Sequence, residues 1–424
     1  MLPSAHLPSP PLRPATAPGA TVDAIEFVLD LGRALHRYGT PAHRLEEALL
    51  ECCRRLGMSA EVFTTPTTII MSFGEPEELR TRMMRVDSGE LDMTKLARVD
   101  ALADAVASLR LTPTEGVREL AAILAAPPQF GHGLSTLAHG VTAGSLAVFF
   151  GGSLADVAIA GLIGLTLGLL AQYAQRSTDQ ARVFELVGAA VVAFAAGVAS
   201  SLWYATTPSI ITVASLLILL PGMSLTVAMT ELATRNLMSG TARLISAVIV
   251  LLELVVGVAL GERAASALVQ VHQAIPVALP EWSRWIALAA SAIGVAVIVR
   301  AQPRAFGWIV AACVIGFVGT RAGTAWLGGG GQLGGQLGVM VGAFALGVLA
   351  NIYARRLERP AQVVSVPAVL LLVPGSMGFR GMASLLDRDT LTGVESVFAM
   401  FVVALAIVAG LLIANAVVSP RRSL

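Results

Sequence analysis

From residue 134 to residue 420 the chain is a succession of apolar runs, separated by short gaps that hold most of that region's charge. Most runs approach the roughly 20 residues that a helix needs to cross the hydrocarbon core of a bilayer. Nothing constrains a fold more tightly. In lipid every backbone N–H and C=O must be bonded internally, which leaves helices or a closed barrel. The runs fall near 135–152, 154–173, 184–204, 209–229 and 243–260, then near 285–300, 305–320, 336–353, 362–379 and 393–417. Of 424 residues, 55% are hydrophobic and only 13% charged, and the mean hydropathy is +0.74. A soluble surface of this size needs more charge. The expected fold is a mainly α-helical polytopic membrane protein of ten spans, led by a small N-terminal α+β domain.

Loop charge gives the orientation, because cytoplasmic loops hold excess Arg. With the α+β domain inside, eleven arginines are cytoplasmic: Arg176, Arg182, Arg235, Arg243, Arg300, Arg304, Arg355, Arg356, Arg359, Arg421 and Arg422. Five lie outside: Arg263, Arg284, Arg321, Arg380 and Arg388. The expected location is the inner cell membrane, multi-pass, with both termini cytoplasmic.

The first 21 residues are rich in Pro, Ala and Ser, lack an apolar core and read as a disordered leader. Residues 22–126 carry an ordinary mix of charges. Helical periodicity in "VDAIEFVLDLGRALHRYG" and "PAHRLEEALLECCRRLG" is followed by strand-like "AEVFTTP", "TTIIMSFG" and "RTRMMRVDSG", then by two more helical stretches. His36 and His43 flank the break at Gly39, and His132 and His139 lie near the membrane entry; none has the spacing of a helical metal-ligand pair, so surface or capping roles are expected. The adjacent Cys52 and Cys53 point apart on a helix. No metal or other cofactor is expected. A single lysine, Lys95, leaves no nucleic-acid footprint. Neither a nucleophile elbow nor a Walker loop occurs, which argues against an enzyme and against ATP as the energy source.

Two runs interrupt themselves. "LLILLPGMSL" and "LLLVPGSMGF" place Pro221-Gly222-Met223-Ser224 and Pro374-Gly375-Ser376-Met377 where lipid favours an unbroken helix. A shift of 153 residues superposes Pro374 and Gly375 on Pro221 and Gly222, Gly393 on Gly240, and Gly410 on Gly257. "AFALGV" at 343–348 matches "AFAAGV" at 193–198 with a shift of 150. The two halves, 135–260 and 285–418, thus read as five-span repeats. An odd number of spans inverts the second copy, as in many secondary transporters, whose broken helices meet at the substrate site. Proline removes a donor and crowds the preceding turn. The freed N–H groups of the resumed half-helix suit a carboxylate, and the freed carbonyls suit a cation. Each Pro-Gly alone also reads as a packing kink; the pairing in register favours a site.

Glu253 in "LLELVVG" is the most deeply placed carboxylate of the spans. Ionised at the bilayer centre it costs about 2.5–3.5 kcal/mol on insertion scales. It reads either as a proton carrier or as a neutral, hydrogen-bonded acid. Asp156, Glu185 and Glu395 lie near expected span ends, where solvated roles are expected. Gly164 and Gly168, with Gly334, Gly338 and Gly342, give spacings that permit close helix packing.

The stretches "YGTPAHRLEEALLECCRRLG", "EVFTTPTTIIMSF", "MRVDSGELDMTKLARVDALA" and the paired "LLPGMS" and "LVPGSM" resemble the threonine/serine exporter family over nearly the whole chain beyond residue 21. The domain motif is carried by Arg44, Glu46, Thr65, Pro66 and Thr67. The resemblance implies proton-driven efflux of threonine, serine or a similar solute. Split relatives of the family imply small dicarboxylates as the alternative. A membrane-anchored hydrolase and a metabolite sensor are the readings from other classes. The partners implied are a small-molecule substrate, protons and the bilayer; a homo-oligomer is compatible with the sequence.

Overall fold

The structure is a computed structural model that describes residues 18–75, 79–87, 89, 91–203, 205–272, 274–327, 332–372, 375–386 and 389–420. Helix α1 (Pro18–Arg37) starts inside the expected leader, the rest of which lies outside the described residues. It meets α2 (Ala42–Arg55) at a corner where Gly39, at φ +87°, takes a conformation that side chains resist. α2 is amphipathic and buries Leu45, Leu49, Cys52 and Cys53. The strands β1 (Ala60–Thr65), β2 (Thr68–Phe73) and β3 (Arg80–Arg85) form an antiparallel sheet in that order. Alternation along β2 buries Ile69, Met71 and Phe73. α3 (Met93–Ala107) is capped by Asp92, and α4 (Pro113–Ala125) by a capping box of Thr112 and Glu115.

The remaining helices are α5 (His132–Phe149), α6 (Leu154–Ala174), a short α7 (Thr178–Arg182), α8 (Phe184–Leu202), α9 (Pro208–Leu216), α10 (Gly222–Ala233) and α11 (Leu237–Leu268). They are followed by α12 (Ser283–Ile298), α13 (Phe306–Leu327), α14 (Gln332–Leu357), α15 (Gln362–Leu372), α16 (Gly375–Leu386) and α17 (Thr390–Val417). The described residues of each expected apolar run fall largely on these helices. Among the described residues seven segments are long and apolar enough to cross a membrane: α6, α8, α11, α13, α14, α15 with α16, and α17. α12 is apolar but shorter, and α5 and the α9–α10 pair fall outside that set. Leu162, Leu260, Phe398 and Leu405 are each more than half exposed on these helices. Such a belt is a liability in water and is at home against acyl chains. The chain is a mainly α-helical polytopic membrane protein.

Small residues set the helix contacts. A Cβ on Gly164 would press on Ala143 and the His139 carbonyl of α5, and one on Gly342 would collide with Thr320 of α13. α8 lies along α11 and α14 along α17. Asp156, expected to be solvated, is instead fully buried. Its carboxylate closes a capping box with Ser153 and accepts the Thr207 N–H at 2.7 Å, tying the start of α6 to the start of α9.

The α+β unit is stapled to the helical bundle at two places. The Met93 N–H donates to the Val299 carbonyl at 3.0 Å, and the Thr94 hydroxyl donates to the Arg300 carbonyl at 2.6 Å. At the second staple the Ala42 N–H donates to Glu231 at 3.0 Å. One apolar core runs from Phe27 and Leu31 through Val299 to Tyr353 and Val364.

Candidate functional site

The fourth apolar run breaks as its residues dictate. α9 ends at Leu216, a turn spans Leu217–Leu220, and Pro221 sits at the N-cap of α10, where its missing donor costs nothing. Gly222 is buried, while Met223 and Ser224 are half-buried. In the ninth run α15 ends at Leu372 and α16 resumes at the buried Gly375, with Ser376 and Met377 half-buried behind it. Pro374 lies outside the described residues. The buried Pro367, inside α15, adds an interruption that the paired Pro-Gly motif does not include.

Both breaks face common space. A cavity of 260 Å³ is lined by Leu217 and Ile218 after α9 and by Leu370 and Leu371 of α15. A second, of 220 Å³, is lined by Leu217, Leu371, Leu372 and Ser376. Leu146, Leu217 and Leu371 belong to both walls. Each volume is below the roughly 300–1,000 Å³ of pockets for drug-sized ligands and suits a small solute. The polar lining is sparse and specific. Thr142 of α5 is fully buried with no partner for its hydroxyl among the described residues, and it lines the larger cavity with His139 and Gln172. The His139 Nδ1 is engaged with the Ser135 carbonyl at 2.8 Å. In the second cavity the buried Ser291 donates its hydroxyl to the Leu288 carbonyl at 3.0 Å.

Thr226 and Thr230 of α10 and Thr234 at its C-cap each donate a hydroxyl to the carbonyl four residues earlier, at 2.9–3.0 Å. Glu231, which sequence reading missed, is completely buried at the far end of this half-helix. It accepts from Arg243 of α11 at 3.1 and 3.2 Å and from the Ala42 N–H. The expected span ended at residue 229 and so left Glu231 in a loop. An acid within a turn of a span's end, with an arginine twelve residues on, is the signal that could have found it.

The other expected residues separate. Glu253 is half-buried on α11, within electrostatic range of Glu185 of α8, and lines neither break cavity. Glu46 accepts the Thr64 N–H at 2.7 Å and the Thr64 hydroxyl at 2.9 Å, clamping α2 to β1. The Thr65 hydroxyl donates to the Thr68 carbonyl at 3.2 Å across the hairpin turn formed by Pro66 and Thr67. These four residues hold the fold, whereas Arg44 faces open cavities. His36 is buried rather than at the surface, and its Nδ1 has no partner among the described residues. Burial, followed by the Arg243 charge, holds its pKa below the usual value. The Cys52 and Cys53 thiols are buried and pushed up to about 12, which makes them poor nucleophiles and ligands.

Comparison with known proteins covers both halves. The profile of a family described as "Putative threonine/serine exporter" matches residues 26–265, and that of "Threonine/Serine exporter, ThrE" matches residues 284–417. An uncharacterized protein of Schizosaccharomyces pombe is 27% identical over 370 residues, covering 84% of this chain and 48% of that protein. Pheromone-regulated membrane protein 10 is 27% identical in Eremothecium gossypii (84% and 48% covered) and 29% identical in Saccharomyces cerevisiae (87% and 48%). The chain thus spans about half the length of these curated relatives. No solved structure matches.

Proposed function

Because the chain belongs to the threonine/serine exporter family, we propose that it is a secondary transporter that exports a small hydroxy amino acid such as threonine or serine in exchange for protons. The carrying observation is that the ends of two broken helices, at Leu217 and Leu371, line one cavity. The half-helices α10 and α16 start beside the breaks with Gly222 and Gly375, which line neither cavity, and their positive ends would favour the substrate carboxylate. Ser376 supplies a hydroxyl to the smaller cavity, while Met223 lines a separate chamber and Ser224 and Met377 line neither break cavity. Glu253, near a second carboxylate at Glu185, is the proposed proton carrier.

The arginine bias of the loops supports a cytoplasmic α+β unit on a multi-pass protein of the inner membrane. The ten-span, inverted-repeat reading draws support from the packing. α6, α8, α9 and α10 contact one another and α11 in the same pairs as α13, α14, α15 and α16 contact one another and α17. Across the halves α10 touches α17 and α11 touches α16, which are exchanged by a two-fold axis. Proton antiport is sufficient as the energy source: one charge crossing 100 mV releases about 2.3 kcal/mol, enough for a roughly 40-fold gradient.

The test is efflux of radiolabelled threonine from proteoliposomes of the full chain. Acidifying the side opposite the α+β unit should accelerate it. If no small amino acid or dicarboxylate leaves faster under that gradient, the reading fails.

A further inference from the structure

A cleft of 640 Å³ lies in the α+β unit, walled by α1, α2 and α3 and reaching Ala361 and Gln362 at the start of α15. Adjoining it is a chamber of 150 Å³ that touches Thr226, Thr230, Asn351 and Ser365 and reaches Met223, the residue after Gly222. Arg44, Ala361, Gln362 and Pro420 line both. The two therefore adjoin, with Arg44 at the wall between them (the neck), and the chamber approaches the first break through Met223.

Packing does not account for the chemistry of that neck. Arg44 and Glu47 sit one turn apart on the same face of α2. Among the described residues, neither side chain makes a hydrogen bond or ion pair. The other charges of the cleft are occupied: Glu51 binds Arg54 and Arg55 at 2.7–2.8 Å, and Asp100 has its own partner. Thr40 lines the cleft at 8% exposure with an unpartnered hydroxyl, and the His43 Nδ1, beside the chamber, is likewise buried without a partner. α2 begins at Pro41 without a side-chain cap, and its first N–H already serves the carboxylate of Glu231. A helix start of this kind attracts carboxylates.

We propose that this neck is the entry site for a zwitterionic α-amino acid, with its carboxylate on Arg44, its ammonium on Glu47, and the Thr40 hydroxyl and His43 ring completing the polar wall. The inference rests on the exporter reading and deepens it by selecting zwitterions over dicarboxylates. A second carboxylate would meet Glu47, and like charges at close range reject the wrong ligand. From the neck the solute passes Thr230 and Thr226 to the break.

Two measurements on the full chain test it. In proteoliposomes, Arg44→Gln and Glu47→Gln should each raise the KM for threonine presented on the side of the α+β unit roughly ten-fold, the loss expected for a charged hydrogen bond. kcat for export should hold, kcat/KM from the opposite side should fall by the same factor because the overall equilibrium is fixed, and Arg44→Lys should recover most of the affinity. In detergent, equilibrium binding of labelled threonine should weaken in Arg44→Gln and should not be displaced by succinate. KM values within two-fold of the unmodified chain for both Gln variants, or wild-type binding that succinate displaces as well as threonine does, would overturn the site. Such results leave the exporter reading standing. That reading falls only if the wild type moves no small amino acid or dicarboxylate, and binding in detergent then judges the neck alone.

Discussion

Glu231 has no solvent exposure, yet it is an acid with three donors aimed at it. Removing one partner of a buried pair leaves the other charge uncompensated, at a cost of about 3–5 kcal/mol. Glu231→Ala should therefore lower the melting temperature of the purified chain sharply, and adding Arg243→Ala should recover part of the loss. Strictly additive losses in that double-mutant cycle would show that the pair carries no coupling. His36 lies beside the same pair. Burial and the Arg243 charge lower its pKa, while its bond to the Thr65 backbone and the Glu231 and Asp87 charges oppose them. The sign follows from linkage: below about pH 6.5 the unfolded ring takes a proton that the folded ring refuses, so stability present above that pH declines on acidification. His43 is lowered in the same direction, first by burial and then by Arg44. His36→Gln should flatten the fall in melting temperature between about pH 7 and 5.5. Parallel curves for variant and wild type would remove His36 from the account.

At the scale of elements, the glycines divide into those that allow contact and those that allow a break. A Cβ on Gly261 of α11 would collide with the Ala190 carbonyl of α8, and one on Gly410 of α17 with the Met340 carbonyl of α14. Gly307, at the start of α13, would meet nothing within 4 Å. Gly261→Leu and Gly410→Leu should thus separate their helix pairs and reduce the yield of folded chain in detergent, while Gly307→Leu behaves as wild type; equal yields for all three would refute the packing argument. Gly222→Leu and Gly375→Leu should instead spare insertion and abolish transport, since their backbone starts the half-helices at the break. Threonine efflux equal to wild type in both would reduce the breaks to kinks. Elements of this kind were legible in the sequence because lipid leaves a backbone few choices and because strand and helix periods differ. The carboxylates near helix ends were not. Whether Asp156 or Glu231 is solvated depends on what covers it, and the groups that do so, the Thr207 N–H and the Ala42 N–H, lie 51 and 189 residues away in the chain. No local window contains that information.

Across the whole molecule the glycine contacts of the proposed repeats can be matched at more than one shift. Gly240 packs against Leu232 and the Ala228 carbonyl, and Gly393 against Leu385 and the Gly381 carbonyl, preserving the shift of 153 residues. Further along, the surroundings of Gly410 are Met340, Ala343 and Phe344, the counterparts at a shift of 150 of Ala190, Ala193 and Phe194. Those three residues surround Gly261, whereas the sequence counterpart of Gly410 is Gly257. On the pairing at 150, α8 sits one helical turn further along α11 than α14 does along α17, about 6 Å at 1.5 Å per residue, whereas at 154 the contacts of Gly257 with Leu186, Ala189 and Ala190 match those of Gly410 and the registers coincide. If the halves are the inverted copies proposed above, a difference in register would serve alternating access, since exchanging the registers would turn one access state into the other. Spin labels at the exposed ends of α8 and α11, Leu202 and Leu268, and of α14 and α17, Leu357 and Val417, report the two registers separately. Under a threonine and proton gradient the first pair should shift toward the register of the second while the second shifts the opposite way. Distance distributions that stay fixed in both pairs while the protein transports threonine would show that the difference in register is static and that access alternates by another motion.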